Sequence, residues 1–551
     1  MAEAEAALLA PGSPFEVGIE EVRGRRMAVF TTRAPHLRAV LEQSARFGDA
    51  ELFAFDDGRR YTFAQHLDLV ASAAAALRDR YGVGPGDRVA ILGANSPEWI
   101  IAFWATVSLG AIAVGMNGWW QGDEITYGLE LTEPSVLVAD QKRLARLDGA
   151  APDVPTVVIE DGFGELTGHA PGSSLPDAPI GEDDPAVILF TSGTTGRPKG
   201  AVNTHRNIIA FLGVSFFSGA RGALVAPPAA PPPPPCALVS SPLFHVSGLH
   251  SAAVAMVASG SRSVWTTGRF DAEKVLRLTE QEGITRWGGV TTHIWRILEH
   301  PDFDRYDHSS VQSVGGGGST WSPELQRVIR EKLPAASTQM SVGYGLTECA
   351  ALATMATEDM LRADPTCAGR ALPTVELAIL DTAGSALPDG EIGEIAIRGP
   401  MVMPGYWNNP EATAAAITAD GWLRTGDYGH LDDGMLHLAS RLRDMIIRGG
   451  ENIYPIEIEN RLDEHPDIAE AAVVGVEHRE LGQEVKAVVV PRAGATLSSA
   501  AVQQWVTDAL AYYKVPAHVE FRSEPLPRNA TGKVLKHVLT GEADNSFVDD
   551  E

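Results

Sequence analysis

Thr191-Ser192-Gly193-Thr194-Thr195-Gly196-Arg197-Pro198-Lys199-Gly200 follows directly on the apolar run Ala186–Phe190. The run reads as a buried strand and the decapeptide as the turn that leaves it. Its glycines let the backbone curl so that successive N–H groups converge. The hydroxyls of Thr191, Ser192, Thr194 and Thr195 add donors, and Arg197 and Lys199 add positive charge. Such a loop suits a polyanion such as a triphosphate. It is not a Walker A sequence, because no Gly-Lys-Ser/Thr step opens a helix, and it contains no Gly-x-Gly-x-x-Gly fingerprint. A flexible Ser/Thr/Gly linker is the alternative, but the order of residues is far from linker composition.

Upstream of the loop the pattern alternates. Thr62–Arg80 has the helical spacing of Leu, Val and Ala, and Arg88–Leu92 is a short buried-strand run. Ser96-Pro97 reads as an N-cap followed by proline at the first helical position. The helix it starts is expected to run through Trp104 to Leu109, with Ala111–Val114 strand-like after it. Ser135–Val138 and Thr156–Ile159 are further strand candidates. This repetition implies α/β layers. Downstream, Ala226–Pro235 is too proline-rich for a helix interior or a central strand and is expected to be a stiff exposed loop. After Leu377 short strands and turns follow, among them Glu376–Leu380, Glu394–Arg398 and Met435–Leu438. Past Arg441, the runs Ala471–Val476 and Lys486–Val490 and a helix from Ser498 to Ala511 predict a small α+β domain.

The bulk properties agree. At 551 residues the chain should hold two or more domains. A net charge of −27, with no block of Lys and Arg, argues against a nucleic-acid partner. Cys236, Cys349 and Cys367 match no zinc, redox or disulfide pattern, which suits a reducing compartment. The acidic, alanine-rich start lacks the features of a signal peptide, and apolar runs such as Ala252–Ala258 fall short of a membrane span, so the cytoplasm is the expected location.

Further motifs follow in order: Pro242-Leu243-Phe244-His245-Val246-Ser247-Gly248, Gly315-Gly316-Gly317-Gly318-Ser319-Thr320, Gly343-Tyr344-Gly345-Leu346-Thr347-Glu348, Trp422-Leu423-Arg424-Thr425-Gly426-Asp427, Arg441-Leu442-Arg443-Asp444, Ile447-Arg448-Gly449-Gly450 and Pro527-Arg528-Asn529-Ala530-Thr531-Gly532-Lys533. Together with the opening loop they resemble the adenylate-forming superfamily of acyl-CoA synthetases, peptide-synthetase adenylation domains and beetle luciferases. The resemblance spans roughly Tyr61 to Leu535 and departs in two places. Ser319-Thr320 stands where the superfamily has Ala-Pro, and Arg443 stands at a hinge that is commonly Asp or Lys.

The resemblance implies an α/β fold: a large N-terminal adenylation domain of layered sheets and helices over residues 1–442, and a small mobile α+β C-terminal domain over 443–551. It implies ATP, Mg²⁺ and coenzyme A as cofactors and a small carboxylic acid as substrate. Thr191–Gly196 and Lys199 would hold the phosphates, and Tyr344 would stack on adenine beside Gly318, Ser319, Thr320 and Gly345. Thr347 would contact the α-phosphate region and Glu348 would ligate Mg²⁺. Asp427 and Arg441 would hold the ribose, and His245 would lie near the carboxylate being activated. Lys533 would serve the first half-reaction. After a turn about Arg443, Gly449-Gly450 would wrap the coenzyme A arm.

No Asp or Glu lies between Cys236 and Arg269, which disfavours an amino-acid substrate. No insertion separates Gly405-Tyr406-Trp407 from Asp427, which favours coenzyme A over a carrier protein as acceptor. Intact Lys199, Glu348, Asp427 and Lys533 argue against a silent nucleotide-binding scaffold. Glycines at 288–289, 315–318, 343 and 345 suggest room for a medium- or long-chain fatty acid or another bulky apolar acid, with aromatic acids also open. The oligomeric state stays open, a homodimer included.

Overall fold

A computed structural model describes residues 2–147, 153–191, 197–225, 234–318, 321–441, 444–449, 451–530 and 532–541. Ser192–Gly196, Ser319, Thr320, Arg443, Gly450 and residues 226–233 of the proline-rich stretch lie outside that set.

Ser96 caps the Pro97–Ser108 helix as the sequence predicts, its side chain accepting from the Trp99 amide. That helix buries Trp99, Phe103 and Trp104 almost completely. Each such side chain contributes about 2–3 kcal/mol by leaving water. They pack over a six-stranded sheet ordered Lys199–Thr204, Pro185–Thr191, Ile112–Gly115, Arg88–Leu92, Val136–Ala139, Thr156–Val158. Its strands are parallel except for the first, which returns antiparallel from the phosphate loop with Lys199 opposite Thr191.

A second sheet has thirteen strands. Cys236–Val239, Arg286–Gly289, Ser313–Gly317 and Ser341–Tyr344 form its parallel centre. The later strands, including Glu376–Leu380, Gly393–Arg398, Leu423–Asp432 and Met435–Arg441, extend it antiparallel, so the change of texture after Leu377 does not begin a new domain. Beyond residue 444 a five-stranded sheet carries the Pro455–Asp463 and Ser499–Thr507 helices, the α+β unit expected there.

One expectation needs correction. The His205–Val225 helix is long and apolar enough to cross a membrane by length and composition. Asn207, Ser215 and Ser218 interrupt its apolar residues, so no continuous run marks it in the sequence. Its Ile208, Phe211 and Phe217 are buried in the main core cluster, as in the core helix of a globular domain.

Candidate active site

The phosphate-loop hairpin is braced from two directions. The Trp407 amide donates to the Gly200 carbonyl at 2.7 Å, and the Val202 amide donates to Gly405 at 3.1 Å. A side chain at Gly200 would come within 2.8 Å of Ile188, so the close approach of the hairpin strands needs glycine here. Lys199 Nζ stands 5.2 Å from the centre of the Tyr406 ring, and the Tyr406 hydroxyl donates to Glu348 Oε1 at 2.9 Å. Burial, with the Glu348 charge beside it, raises the Tyr406 pKa well above the phenol range, so the hydroxyl keeps its proton. The turn bearing Thr347 and Glu348 is itself pinned: Asn203 Nδ2 donates to the Thr347 carbonyl at 3.1 Å and the Met403 amide to the Glu348 carbonyl at 2.8 Å. A cation and a carboxylate are thereby held on one frame.

Asp427 lies opposite Arg441 in the adjacent strand, with Arg441 Nε 3.3 Å from its Oδ1. Its Oδ2 accepts the Tyr344 hydroxyl at 2.9 Å. Tyr344 is buried, and burial followed by the Asp427 charge raises its pKa, so it too remains a donor. Gly345 follows with backbone so close to the next loop that a Cβ would stand 2.2 Å from the Ala351 carbonyl oxygen. Cys349 is buried and its thiol is pushed up to about 12 by burial, which suits a structural rather than a nucleophilic cysteine.

One loop of the C-terminal unit brings Lys533 to Gly318. Asn529 and Lys533 close it: the Asn529 amide donates to the Lys533 carbonyl, and the Lys533 amide donates to Asn529 Oδ1, each at 2.9 Å. Gly532 has φ +79°, and a side chain there would meet Val290 at 2.6 Å. Lys533 Cε stands 3.5 Å from where a Gly318 side chain would begin. The Lys533 charge also reaches His245, whose pKa falls to about 3, mainly through burial and then through Lys533 and His250. His245 is therefore a neutral imidazole that also caps its helix, its ring nitrogen 3.0 Å from Ser247 Oγ.

Lys533, Gly318 and His245 thus share one region, while Lys199 with Glu348, and Tyr344, Gly345 and Thr347 with Asp427 and Arg441, form the rest of the frame. Gly449 sits apart in the turn between Ile446–Arg448 and Glu451–Ile453, at φ +60°, its amide donating to Leu481 at 2.7 Å. Sequence reasoning missed the role of Tyr406, visible only as the aromatic of Gly405-Tyr406-Trp407. It also missed buried His250, five residues after His245, whose Nε2 has no hydrogen-bond partner.

Glu348 offers a single hard carboxylate, and among the described residues no group of three or more His, Cys, Asp or Glu side chains could hold a metal. A lone carboxylate beside a phosphate loop fits Mg²⁺, which keeps phosphate and water as its other ligands.

Residues 40–407 match the family model described as AMP-binding enzyme, and residues 457–533 match the AMP-binding enzyme C-terminal domain. A methyl-dioxo-octahydroindenyl-propanoyl:CoA ligase from Rhodococcus jostii is 35% identical over 531 residues, 92% of this chain and 98% of that protein. An indoleacetate–CoA ligase from Aromatoleum aromaticum is 37% identical, over 87% of this chain and 92% of its own. Among solved structures, the Bacillus subtilis o-succinylbenzoate CoA synthetase in complex with its acyl-adenylate intermediate aligns with a TM-score of 0.76. It is 30% identical and covers 92% of this chain and 98% of that one.

Proposed function

We propose that this chain, which belongs to the AMP-binding enzyme family, activates a bulky ring-bearing carboxylic acid and transfers the acyl group to coenzyme A. The coarser statement follows from the family: the protein is an ATP-dependent, AMP-forming acid–thiol ligase that works through an adenylate and uses ATP, coenzyme A and Mg²⁺. The ring-bearing acid is the finer reading. It is supported by Gly288, where nothing stands within 4 Å of an added side chain and whose neighbour on the next strand is Gly315. It is supported too by relatives named for feruloyl, indoleacetate, coumarate and dioxo-indenyl acids.

The mechanism we infer has two steps. The acid carboxylate attacks the α-phosphorus in line, and pyrophosphate leaves. Lys533 neutralises charge between carboxylate and phosphate, and Lys199 neutralises it on the triphosphate. Neutral His245 bounds the carboxylate without competing with Lys533 for it. Asp427, oriented by the Tyr344 hydroxyl and Arg441, accepts from the ribose hydroxyls. Mg²⁺ on Glu348 would supply charge neutralisation at the phosphates. Rotation of the C-terminal domain, residues 443–551, then withdraws Lys533 and brings Gly449-Gly450 forward. The thiol attacks the acyl carbonyl, AMP departs, and the thioester is released.

The observation that carries this reading is the approach of Lys533 to Gly318 and His245, opposite the Lys199–Tyr406–Glu348 frame. ATP–pyrophosphate exchange and thioester formation across acetate, palmitate, benzoate, indoleacetate and bicyclic propanoates test it. Exchange should be strongest with the ring-bearing acids. A clear preference for acetate or palmitate would overturn the substrate reading, and no exchange with any acid would overturn the enzymatic one.

A further inference from the structure

Alternation along the Arg286–Gly289 strand divides its side chains between two faces. Trp287 turns to the helix-covered face, where it is fully buried and its indole N–H donates to Thr279 Oγ1 at 3.0 Å. Arg286 and Gly288 therefore look to the other face. Strand register carries that face sideways: Arg286 lies beside Ser313, Gly288 beside Gly315, Gly315 beside Ser341, and Gly317 beside Gly343. The rows nearer Lys533 are almost bare of side chains. Nothing stands within 4 Å of where a Gly288 side chain would begin. Opposite runs the helical segment after His245, in which Ser251 stays accessible although His250 and Ala252 on either side are buried. Its backbone is a π-helix over Leu249–Val254, a form that concentrates at functional sites.

The bare rows lead from Lys533 at Gly318 to Arg286, the first large side chain on this face of its strand. At 3.3 Å per residue the Ser313–Gly317 strand is roughly 13 Å long, about the length of a two-ring acid with a short side chain.

Arg286 makes no ion pair or hydrogen bond among the described residues. It keeps accessible surface, yet burial alone lowers its pKa, and no carboxylate stands near enough to oppose that. Arg286 is exposed at the end of this glycine row, where a ligand lying along the row can reach it. Its five N–H donors meet no protein acceptor among the described residues and can take the oxygen acceptors of a ligand in a planar fork.

We propose that Arg286 anchors the far end of the substrate, so that the acid carries an oxygen acceptor, a ring carbonyl or a second carboxylate, at the end remote from the carboxylate that is activated. The inference rests on reading this face as the acyl trough of the proposed ligase.

The test uses the full-length enzyme, its Arg286→Met variant of similar volume, and Arg286→Lys. Adenylation kcat/KM is measured with naphthylpropanoate, a tetralone propanoate and a carboxynaphthyl propanoate, and in parallel with palmitate and hexadecanedioate. The parent enzyme should favour the oxygenated member of each set it turns over by at least about 10-fold. Arg286→Met should erase that ratio by lowering turnover of the oxygenated acids and leaving the plain ones unchanged or better. Arg286→Lys should retain the carboxylate preference more than the ketone preference, because lysine is a point charge without the planar fork. A ratio that Arg286→Met leaves unchanged, in a variant whose thermal unfolding matches the parent, would overturn the proposal, as would a parent enzyme without the preference. Turnover of the palmitate pair alone would overturn the ring-acid reading, while the ratio within that pair still decides the role of Arg286.

Discussion

Single residues carry most of the chemistry, and Lys533 is the sharpest case. On the proposed mechanism Lys533→Ala should reduce ATP–pyrophosphate exchange by at least about 100-fold, since it removes the cation that neutralises charge between carboxylate and phosphate. Thioester formation from preformed acyl adenylate should be largely spared, and equal losses in both assays would refute the assigned role. Tyr406→Phe leaves the ring under Lys199 but removes the one hydroxyl that Glu348 accepts among the described residues. A hydrogen bond to a charged group is worth about 1.5–3 kcal/mol. The variant should therefore need more Mg²⁺ to reach half-maximal exchange, and an unchanged Mg²⁺ dependence would refute that link. Lys199, Glu348, Asp427 and Lys533 entered as candidates because each stands in a motif whose resemblance to a family is carried by the sequence itself. Arg286 and His250 did not, because an exposed cation at the end of a glycine row, or a buried imidazole with one nitrogen unmatched, is recognisable only once its neighbours are known.

At the scale of elements, periodicity and capping did well where the signal is local. Glu376–Leu380 and the helix capped by Ser96 formed as expected. The Lys199–Thr204 strand was not anticipated, because Asn203 and Thr204 are buried polar residues and the segment lacks alternation. Their partners lie far along the chain: Asn203 holds Thr347, and Asn207 nearby holds Pro400 and Val402. Register across thirteen strands is likewise a property of pairings that no window of sequence contains. The close approach at Gly345 belongs here. Gly345→Ala places a methyl against the Ala351 carbonyl and should destabilise the large domain by about 2 kcal/mol or more. Thermal unfolding checks this, and an unchanged transition would show that the loop yields freely.

At the scale of the whole molecule, a titrating group lies where the two domains meet. Asp463 closes the Pro455–Asp463 helix, and its pKa is raised from 3.8 to about 7. Burial is the main cause and the Glu459 charge the next. Ser322 of the large domain and Arg528 pull the other way, and Glu470 adds to the rise. An acid with a raised pKa binds its proton more tightly in this arrangement than outside it. Packing that buries Asp463 is therefore fully favoured below about pH 4 and loses that advantage progressively as pH rises to about 7, while the Ser322 hydrogen bond from the large domain opposes the loss. Asp463→Asn should flatten the loss of thermal stability between about pH 5 and 7, and superimposable profiles for variant and parent would refute the coupling. This feature was illegible in the sequence, where Asp463 is one acidic residue among many.

The loop that delivers Lys533 is tied firmly to its own domain, Arg528 to Glu470 at 2.9 Å and Lys536 to Glu459 at 2.7 Å. On the proposed mechanism the lysine cannot retract by itself, so it leaves only when everything behind it leaves. The enzyme then behaves as an interlock: the berth needed by the second visitor stays taken until the first has been dismissed. The order of events is a matter of occupancy, and no separate timekeeper is required.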